Sequence, residues 1–149
     1  MRGSSHLSWV AILATSPDCS VRPVVLLVED DFSLLDMLGR TLERAGFEVI
    51  TATHGVTALT LIGEMAIDLV VTDILLPQMN GFELIRRLKS DSPDVPIIAI
   101  SGMDDSQHFR DSALKCGATA ALSKPISRQH LVDLATSMAR PALKKASTT

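Results

Sequence analysis

Five short apolar runs alternate with five stretches of helical periodicity, and this alternation constrains the fold more than any other feature. The predicted strands are 24–28, 47–52, 68–73, 97–100 and 118–122. The predicted helices are 33–46, 55–65, 81–88, one that ends near 116–117, and 127–140. Continuous apolar runs are typical of strands buried on both faces, while apolar stripes at i, i+3 and i+4 are typical of helices packed on a sheet. The pattern predicts an α/β fold with a parallel sheet and helices on both faces.

The chain has 149 residues, which suits one domain with a sizeable core. We expect this domain to span residues 23–140. Residues 1–22 do not follow the pattern, and we interpret them as an extension that is tag-derived, disordered or packed loosely on the domain. The apolar run 7–14 faintly resembles a signal peptide, but it is short and its cleavage signal is poor. Residues 141–149 form a polar tail.

Bulk properties exclude several classes of function. A net charge of −3 does not favour direct binding of nucleic acid. Cys19 and Cys116 lack metal-ligand or CxxC spacing, which favours a reducing cytoplasm. No phosphate-binding glycine loop and no apolar stretch of about 18 residues occurs, so neither nucleotide chemistry nor a membrane span is expected.

Asp73 ends a buried apolar run, and the chain then turns through Pro77 and Gly81. At the carboxyl end of a central strand, an acidic side chain would lie where open α/β sheets bind ligands. Taken alone, Asp73 could equally cap a strand and begin a loop.

The ends of the other predicted strands favour the functional interpretation. Four of the five strands finish in polar residues, namely Glu29 and Asp30, Asp73, Ser101, and Lys124. Because the carboxyl ends of parallel strands lie on one edge of the sheet, we expect these side chains to converge in one cleft.

The residue types in this set suit phosphoryl chemistry. Clustered carboxylates raise one another's pKa unless a cation intervenes, and oxygen ligands of this kind match Mg²⁺. A lysine and a serine hydroxyl can bind phosphoryl oxygens, and an aspartate can accept a phosphoryl group covalently.

Over about residues 23–140 the sequence resembles the response-regulator receiver domains of two-component signalling. The residues that carry the resemblance are Glu29-Asp30-Asp31 after a strand, Asp73 followed by Pro77 and Gly81, Ser101, and Lys124-Pro125. The resemblance implies a flavodoxin-like, doubly wound sheet of five parallel strands in the order 2-1-3-4-5.

The resemblance also implies roles for individual residues. Asp73 would accept a phosphoryl group from a histidine kinase or a phosphotransfer protein. Glu29, Asp30, Asp73 and the backbone carbonyl of Leu75 would hold Mg²⁺. The phosphoryl oxygens would be bound by Ser101 and Lys124, and the Lys124–Pro125 bond would be cis.

Two positions depart from the family pattern. Many receivers carry Tyr or Phe three residues before the lysine as a conformational switch, but here that position is Ala121. Phe109 is a candidate substitute, although packing is the better-supported role for it. Leu75, two residues after Asp73, offers no polar side chain to a hydrolytic water. After the last predicted helix no output domain follows, which fits either a stand-alone receiver or a piece of a longer regulator.

Three hypotheses follow. The first is a phosphorylation-controlled switch, not an enzyme acting on an external substrate. It would bind its downstream protein, or a second copy, through a face made by the fourth helix, fifth strand and fifth helix, including Ile126, Leu131 and Leu134 where they reach the surface. Because the spacing of these residues is that of an inward stripe, we expect most of them to lie in the core. The second is a pseudo-receiver that acts as an interaction module without phosphorylation. The third, an aspartyl-phosphate hydrolase, ranks last because Leu75 stands where that chemistry usually needs a second aspartate.

Overall fold

A computed structural model describes residues 22–102 and 107–139 of the chain. The predicted tail 141–149 and all but the last residue of the predicted extension 1–22 lie outside the described residues, as do the loop 103–106 and Arg140. None of the helices within the described ranges is long and apolar enough to span a membrane.

The described residues form one five-stranded parallel sheet. Its strands are β1 (Val24–Val28), β2 (Glu48–Ala52), β3 (Leu69–Asp73), β4 (Ile97–Ser101) and β5 (Ala120–Ser123). They lie in the order β2-β1-β3-β4-β5, and every neighbouring pair is parallel. The predicted fold class and strand order are therefore confirmed.

Five helices connect and follow the strands. They are α1 (Phe32–Arg44), α2 (Gly55–Glu64), α3 (Gly81–Asp91), α4 (Gln107–Cys116) and α5 (Arg128–Met138). The first four return the chain from the carboxyl edge of the sheet to its amino edge, as parallel connections require. The third helix continues three residues beyond its predicted end at Leu88.

The predicted starts of two strands are wrong for the same physical reason. The second and fifth strands begin at Glu48 and Ala120 rather than at the apolar residues Phe47 and Ala118. Each of these apolar residues follows a left-handed glycine and still donates its N–H to the preceding helix. Phe47 N lies 3.1 Å from a carbonyl oxygen of α1, and Ala118 N lies 3.0 Å from one of α4. Such bonds close the end of a helix before the strand can begin.

The sheet separates two apolar cores. Alternate residues of β1 divide between them, with Leu26 and Val28 facing the core under α2, α3 and α4, and Val25 and Leu27 facing the core under α1 and α5. Side chains on successive strand residues point to opposite faces, so a central strand buried by both layers must be apolar throughout. Leu131 is fully buried in the second core. It does not reach the predicted partner surface.

The connection from β3 to α3 leaves no room for a side chain at Gly81. The N–H of Gly81 donates to the Ile74 carbonyl oxygen at 3.0 Å, and Asn80 caps α3 by accepting the Phe82 N–H at 2.7 Å. A Cβ built on Gly81 would collide with the backbone of Ile74. The glycine therefore allows the loop after Asp73 to fold back tightly on the strand.

We expect Gly81→Ala to lower the free energy of unfolding by about 2–3 kcal/mol, since backbone atoms must move to admit the methyl group. Gly63→Ala is the matched control, because a Cβ there meets nothing within 4 Å. As a helical position it should gain up to about 1 kcal/mol. Urea unfolding of both variants measures the difference, and equal effects would contradict this account of the loop.

Candidate functional site

Three carboxylates meet at the carboxyl edge of the sheet. Glu29 follows β1 and Asp73 is the last residue of β3, and these two strands are neighbours in the sheet. Oxygens from Glu29, Asp30 and Asp73 all lie within 4.8 Å of one another. The side chains of Glu29 and Asp73 are buried, whereas Asp30 is exposed to solvent. The cluster therefore has two carboxylates inside and one at the entrance.

Backbone contacts orient the two buried carboxylates. Glu29 extends the pairing of β1 by donating its N–H to the Ala52 carbonyl at 3.0 Å, and its Oε2 accepts the Asp31 N–H at 3.1 Å. Asp73 Oδ1 accepts the Leu75 N–H at 3.1 Å. Each carboxylate is thus fixed by a donor two residues further along the chain.

Lys124, the residue after β5, also belongs to the cluster, although β5 is two strands away from β3. Its Nζ lies 2.9 Å from Asp73 Oδ2 and 3.3 Å from Glu29 Oε1. The Lys124 N–H donates to the carbonyl oxygen of Ser101 at 2.7 Å, which anchors the lysine to the end of β4. The Lys124–Pro125 peptide bond is cis.

Burial and charge shift the protonation of this group. Burial raises the pKa of Glu29 to about 7; the Asp31 N–H and the Lys124 charge oppose the rise, while the Asp73 charge adds to it. Burial alone would lower the pKa of Lys124. The hydrogen bond to Asp73 and the charges of Asp73 and Glu29 outweigh it, so that pKa lies above its ordinary value. The lysine is therefore charged at neutral pH, whereas Glu29 is poised to exchange a proton.

The carboxylate set fits a divalent cation. Lys124 is the one cation within ion-pair distance of the three carboxylates among the described residues, so full ionisation leaves an excess of negative charge. Glu29 Oε1 is buried and accepts no hydrogen bond of ordinary geometry, although Lys124 Nζ lies near it. A carboxylate oxygen in this position can serve as a ligand, and Mg²⁺ commonly takes one or two carboxylates with water or phosphate oxygens.

Other predicted site residues lie around this cluster. Ser101 ends β4, is fully buried and pairs in register with Ser123. The side chain of Leu75 is exposed, and its N–H binds Asp73. Ala121 is half-buried on β5. The roles predicted for these residues stay predictions.

Phe109 is buried, and its ring centroid lies 6.2 Å from that of Phe82 on α3. This is a packing contact between α4 and α3, which supports the packing role rather than a relay.

Sequence reasoning missed one supporting residue, Thr72, and gave no role of its own to another, Asp31. Thr72 is fully buried, and its hydroxyl donates to the Asp73 carbonyl oxygen at 3.0 Å. A hydroxyl inside an otherwise apolar run was the signal that could have identified it. Asp31 caps α1 by accepting the N–H groups of Ser33 and Leu34. The third residue of the acidic run therefore starts a helix.

The fold and the cluster define a class of signalling domain, and comparison with known proteins agrees. The model of the response regulator receiver domain family matches residues 25–136. The chain belongs to this family, whose members act in two-component signalling and are signalling domains rather than enzymes.

Related sequences and structures share this domain. A probable transcriptional regulatory protein of Picosynechococcus is 35% identical over 122 residues, which cover 77% of this chain and 48% of that protein. The DNA-binding response regulator MtrA of Mycobacterium tuberculosis is 36% identical over 113 residues, which cover 76% of this chain and 49% of the relative. The chain thus spans about half the length of these curated relatives.

Two solved structures show the same fold. A CheY-like receiver domain protein from Methanospirillum hungatei aligns with a TM-score of 0.77 and 28% identity, covering 84% of this chain and 99% of that one. A response regulator from Burkholderia pseudomallei, described with a phosphorylated aspartic acid, a calcium ion and citrate, aligns with a TM-score of 0.71 and 27% identity. That alignment covers 83% of this chain and 72% of the other.

The raised pKa of Glu29 predicts how stability depends on pH without metal. The pKa is 4.5 ordinarily and about 7 in the folded chain, so the unfolded chain ionises first. Protonation of Glu29 therefore contributes its full stabilisation below pH 4.5, the pKa in the unfolded chain. This stabilisation is lost as pH rises through about 7, the pKa in the folded chain. Relative to wild type, Glu29→Gln should gain about 2 kcal/mol in free energy of unfolding as pH rises from about 5 to about 8.

Chemical unfolding in the presence of a chelator, repeated at several pH values, measures this difference. Adding Mg²⁺ should restore stability to wild type at high pH more than to Glu29→Gln, because the ionised carboxylate is the ligand. A difference between the two proteins that does not change with pH would contradict the prediction.

Proposed function

We propose that the chain is a phosphorylation-controlled switch in which Asp73 accepts a phosphoryl group from a histidine kinase or a phosphotransfer protein. The observation that carries this proposal is the contact of buried Asp73 with Lys124 at 2.9 Å, beside the carboxylates of Glu29 and Asp30. A structural ion pair alone would not require two further carboxylates within reach of the same aspartate.

In the proposed reaction an oxygen of Asp73 forms a bond to phosphorus while the bond from phosphorus to the donor breaks. The carboxylate becomes an acyl phosphate, and the donor leaves with the bonding electron pair. Phosphoryl transfer is accelerated chiefly by positioning and by neutralising charge on the phosphoryl oxygens. Lys124 would move its Nζ contact from the carboxylate to a phosphoryl oxygen, and Ser101 would donate its hydroxyl to another.

Mg²⁺ is the cofactor we propose for this site, held by Glu29, Asp30, Asp73 and the backbone carbonyl of Leu75. When bound, it would neutralise carboxylate charge and attract phosphoryl oxygens. The excess negative charge of the cluster supports this assignment. The phosphorylated aspartic acid and calcium ion described for the Burkholderia pseudomallei structure are consistent with it.

The proposed output is a change in protein binding at the face formed by α4, β5 and α5. Ser101 and Lys124 connect the phosphorylation site to the adjoining ends of β4 and β5 through a backbone hydrogen bond. On the fifth helix and its approach, Leu134 and Ile126 remain half-buried and offer apolar contact area, unlike Leu131. Ala121 lacks an aromatic ring, so any change at Ser101 must reach this face through backbone or α4 movement.

The runner-up is a phosphorylation-independent pseudo-receiver that serves as an interaction module. The absence of an aromatic side chain at Ala121 favours it, whereas the intact carboxylate and lysine cluster disfavours it. Direct nucleic-acid binding is not proposed for this chain, and homodimerisation, the cognate kinase and a cytoplasmic location stay predictions of the sequence.

Intact mass spectrometry after incubation with Mg²⁺ and a small phosphodonor tests the proposal. We expect one added phosphoryl group on wild type and none on Asp73→Ala. Asp94→Ala, which removes an exposed carboxylate from a turn, is the control and should be modified like wild type. No addition to wild type, together with no detectable Mg²⁺ binding, would favour the pseudo-receiver.

Leu75 predicts a long-lived acyl phosphate. Its exposed apolar side chain next to Asp73 cannot hold a water molecule by hydrogen bonding. We expect Leu75→Asn to shorten the half-life of the phosphorylated chain several-fold, whereas Leu75→Met, which keeps an apolar side chain of similar size, should leave it nearly unchanged. A half-life in Leu75→Asn equal to or longer than that of wild type would count against this role.

A further inference from the structure

A groove of about 390 Å³ lies between α1 and β2, and none of the three clustered carboxylates lines it. Because α1 runs antiparallel to the strands, Phe32 and Thr51 line the groove near the carboxyl edge of the sheet, and Glu43 and Val49 line it nearer the amino edge. Gly39 lies between these ends. Gly39 is buried, and a Cβ on it would make only ordinary contact, at 3.9 Å from Val49 Cγ1, so the floor of the groove can accept a side chain here.

The groove has apolar surface and backbone groups that the described residues do not cover. Phe32 is 75% exposed, the highest value among the large apolar side chains of the described ranges. β2 is an edge strand that pairs with β1 alone in the part of the chain that the structure describes. A single exposed apolar residue needs no explanation, but an aromatic ring at the head of a groove beside an unpaired strand edge favours an occupant.

The chain enters the domain directly beside this groove. The Pro23 carbonyl accepts the N–H of Glu48 at 3.0 Å, so the residues before Arg22 depart next to the first residue of β2. Val49, at the amino end of the groove, is the next residue along β2. Any segment that precedes Arg22 therefore begins close to the groove.

The sequence supplies an apolar segment at a suitable distance. Residues 7–14 contain Trp9 and six other apolar residues, with Ser8 as their polar member. Between Ala14 and Pro23 the chain can span up to roughly 30 Å, whereas a five-residue strand is only about 17 Å long. If residues 7–14 lay along β2 with Ala14 near the amino edge of the sheet, Trp9 would lie about five residues further along. This position is near Phe32, at the other end of the groove.

We propose that residues 7–14 of this chain occupy the groove between α1 and β2, with Trp9 packed against Phe32. The segment would pass over Gly39 on the floor of the groove and shield the outer edge of β2. This inference does not depend on phosphoryl transfer at Asp73, so each can fail without the other.

Trp9 is the one tryptophan of the chain and reports directly on this docking. In the 149-residue chain, we expect Trp9 emission at shorter wavelength than in urea and several-fold weaker quenching by acrylamide. A synthetic peptide of residues 1–21 provides the undocked reference for both measurements.

Two groove variants test the location. Phe32→Ser removes the exposed aromatic contact, and Gly39→Gln places a side chain in the groove. Both should raise acrylamide quenching of Trp9 towards the value of the free peptide. Leu114→Ser is the control, because it removes an exposed apolar side chain from α4, on the opposite face of the sheet, and should change nothing. Circular dichroism and urea unfolding verify that each variant is folded.

Three outcomes would overturn the proposal. Quenching in wild type equal to that of the free peptide would show that the segment is not docked. Protection that persists in both folded groove variants would place Trp9 elsewhere. Protection that is lost on dilution would also overturn it, since the segment would then lie on a second copy of the chain.

Discussion

Two buried carboxylates, Glu29 and Asp73, share one lysine, and the arrangement of the site depends on that contact. Lys124 follows β5, which lies on the far side of β4. It reaches both carboxylates because β1 and β3 are neighbours, which places Glu29 and Asp73 side by side. A strand order that separated β1 from β3 would pull the carboxylates apart. The parallel sheet therefore does more than bury apolar residues, since it sets the distances on which the chemistry of Asp73 depends.

This arrangement lowers the stability of the fold. Ionised groups out of water are costly unless they are paired, and here the carboxylates outnumber the lysine. The raised pKa of Glu29 is the visible consequence. The two apolar cores above and below the sheet supply the stability that the cluster lacks. The excess negative charge is confined to one edge of the sheet, where a bound cation would neutralise it.

The residues that depart from the family pattern lie outside the cluster of carboxylates and lysine. The space at Ala121 and the apolar side chain of Leu75 alter what surrounds the cluster, while Glu29, Asp30, Asp73 and Lys124 remain together. Phe109 packs on Phe82 instead of replacing the absent aromatic. Under the proposed function, a receiver of this type would keep the geometry for accepting a phosphoryl group and would differ in how long it holds the group and how it signals.

The sequence by itself determined the α/β class, the alternation of elements and the set of polar residues at strand ends, because periodicity and turn residues are local properties. Strand order came from the family resemblance, and the structure confirmed it. Only the tertiary structure decided that Phe47 and Ala118 close helices and that Thr72 supports Asp73. It also decided the pKa of Glu29, which depends on burial and on charges from β3 and from Lys124 after β5. Such properties arise from residues far apart along the chain, which local sequence patterns do not encode.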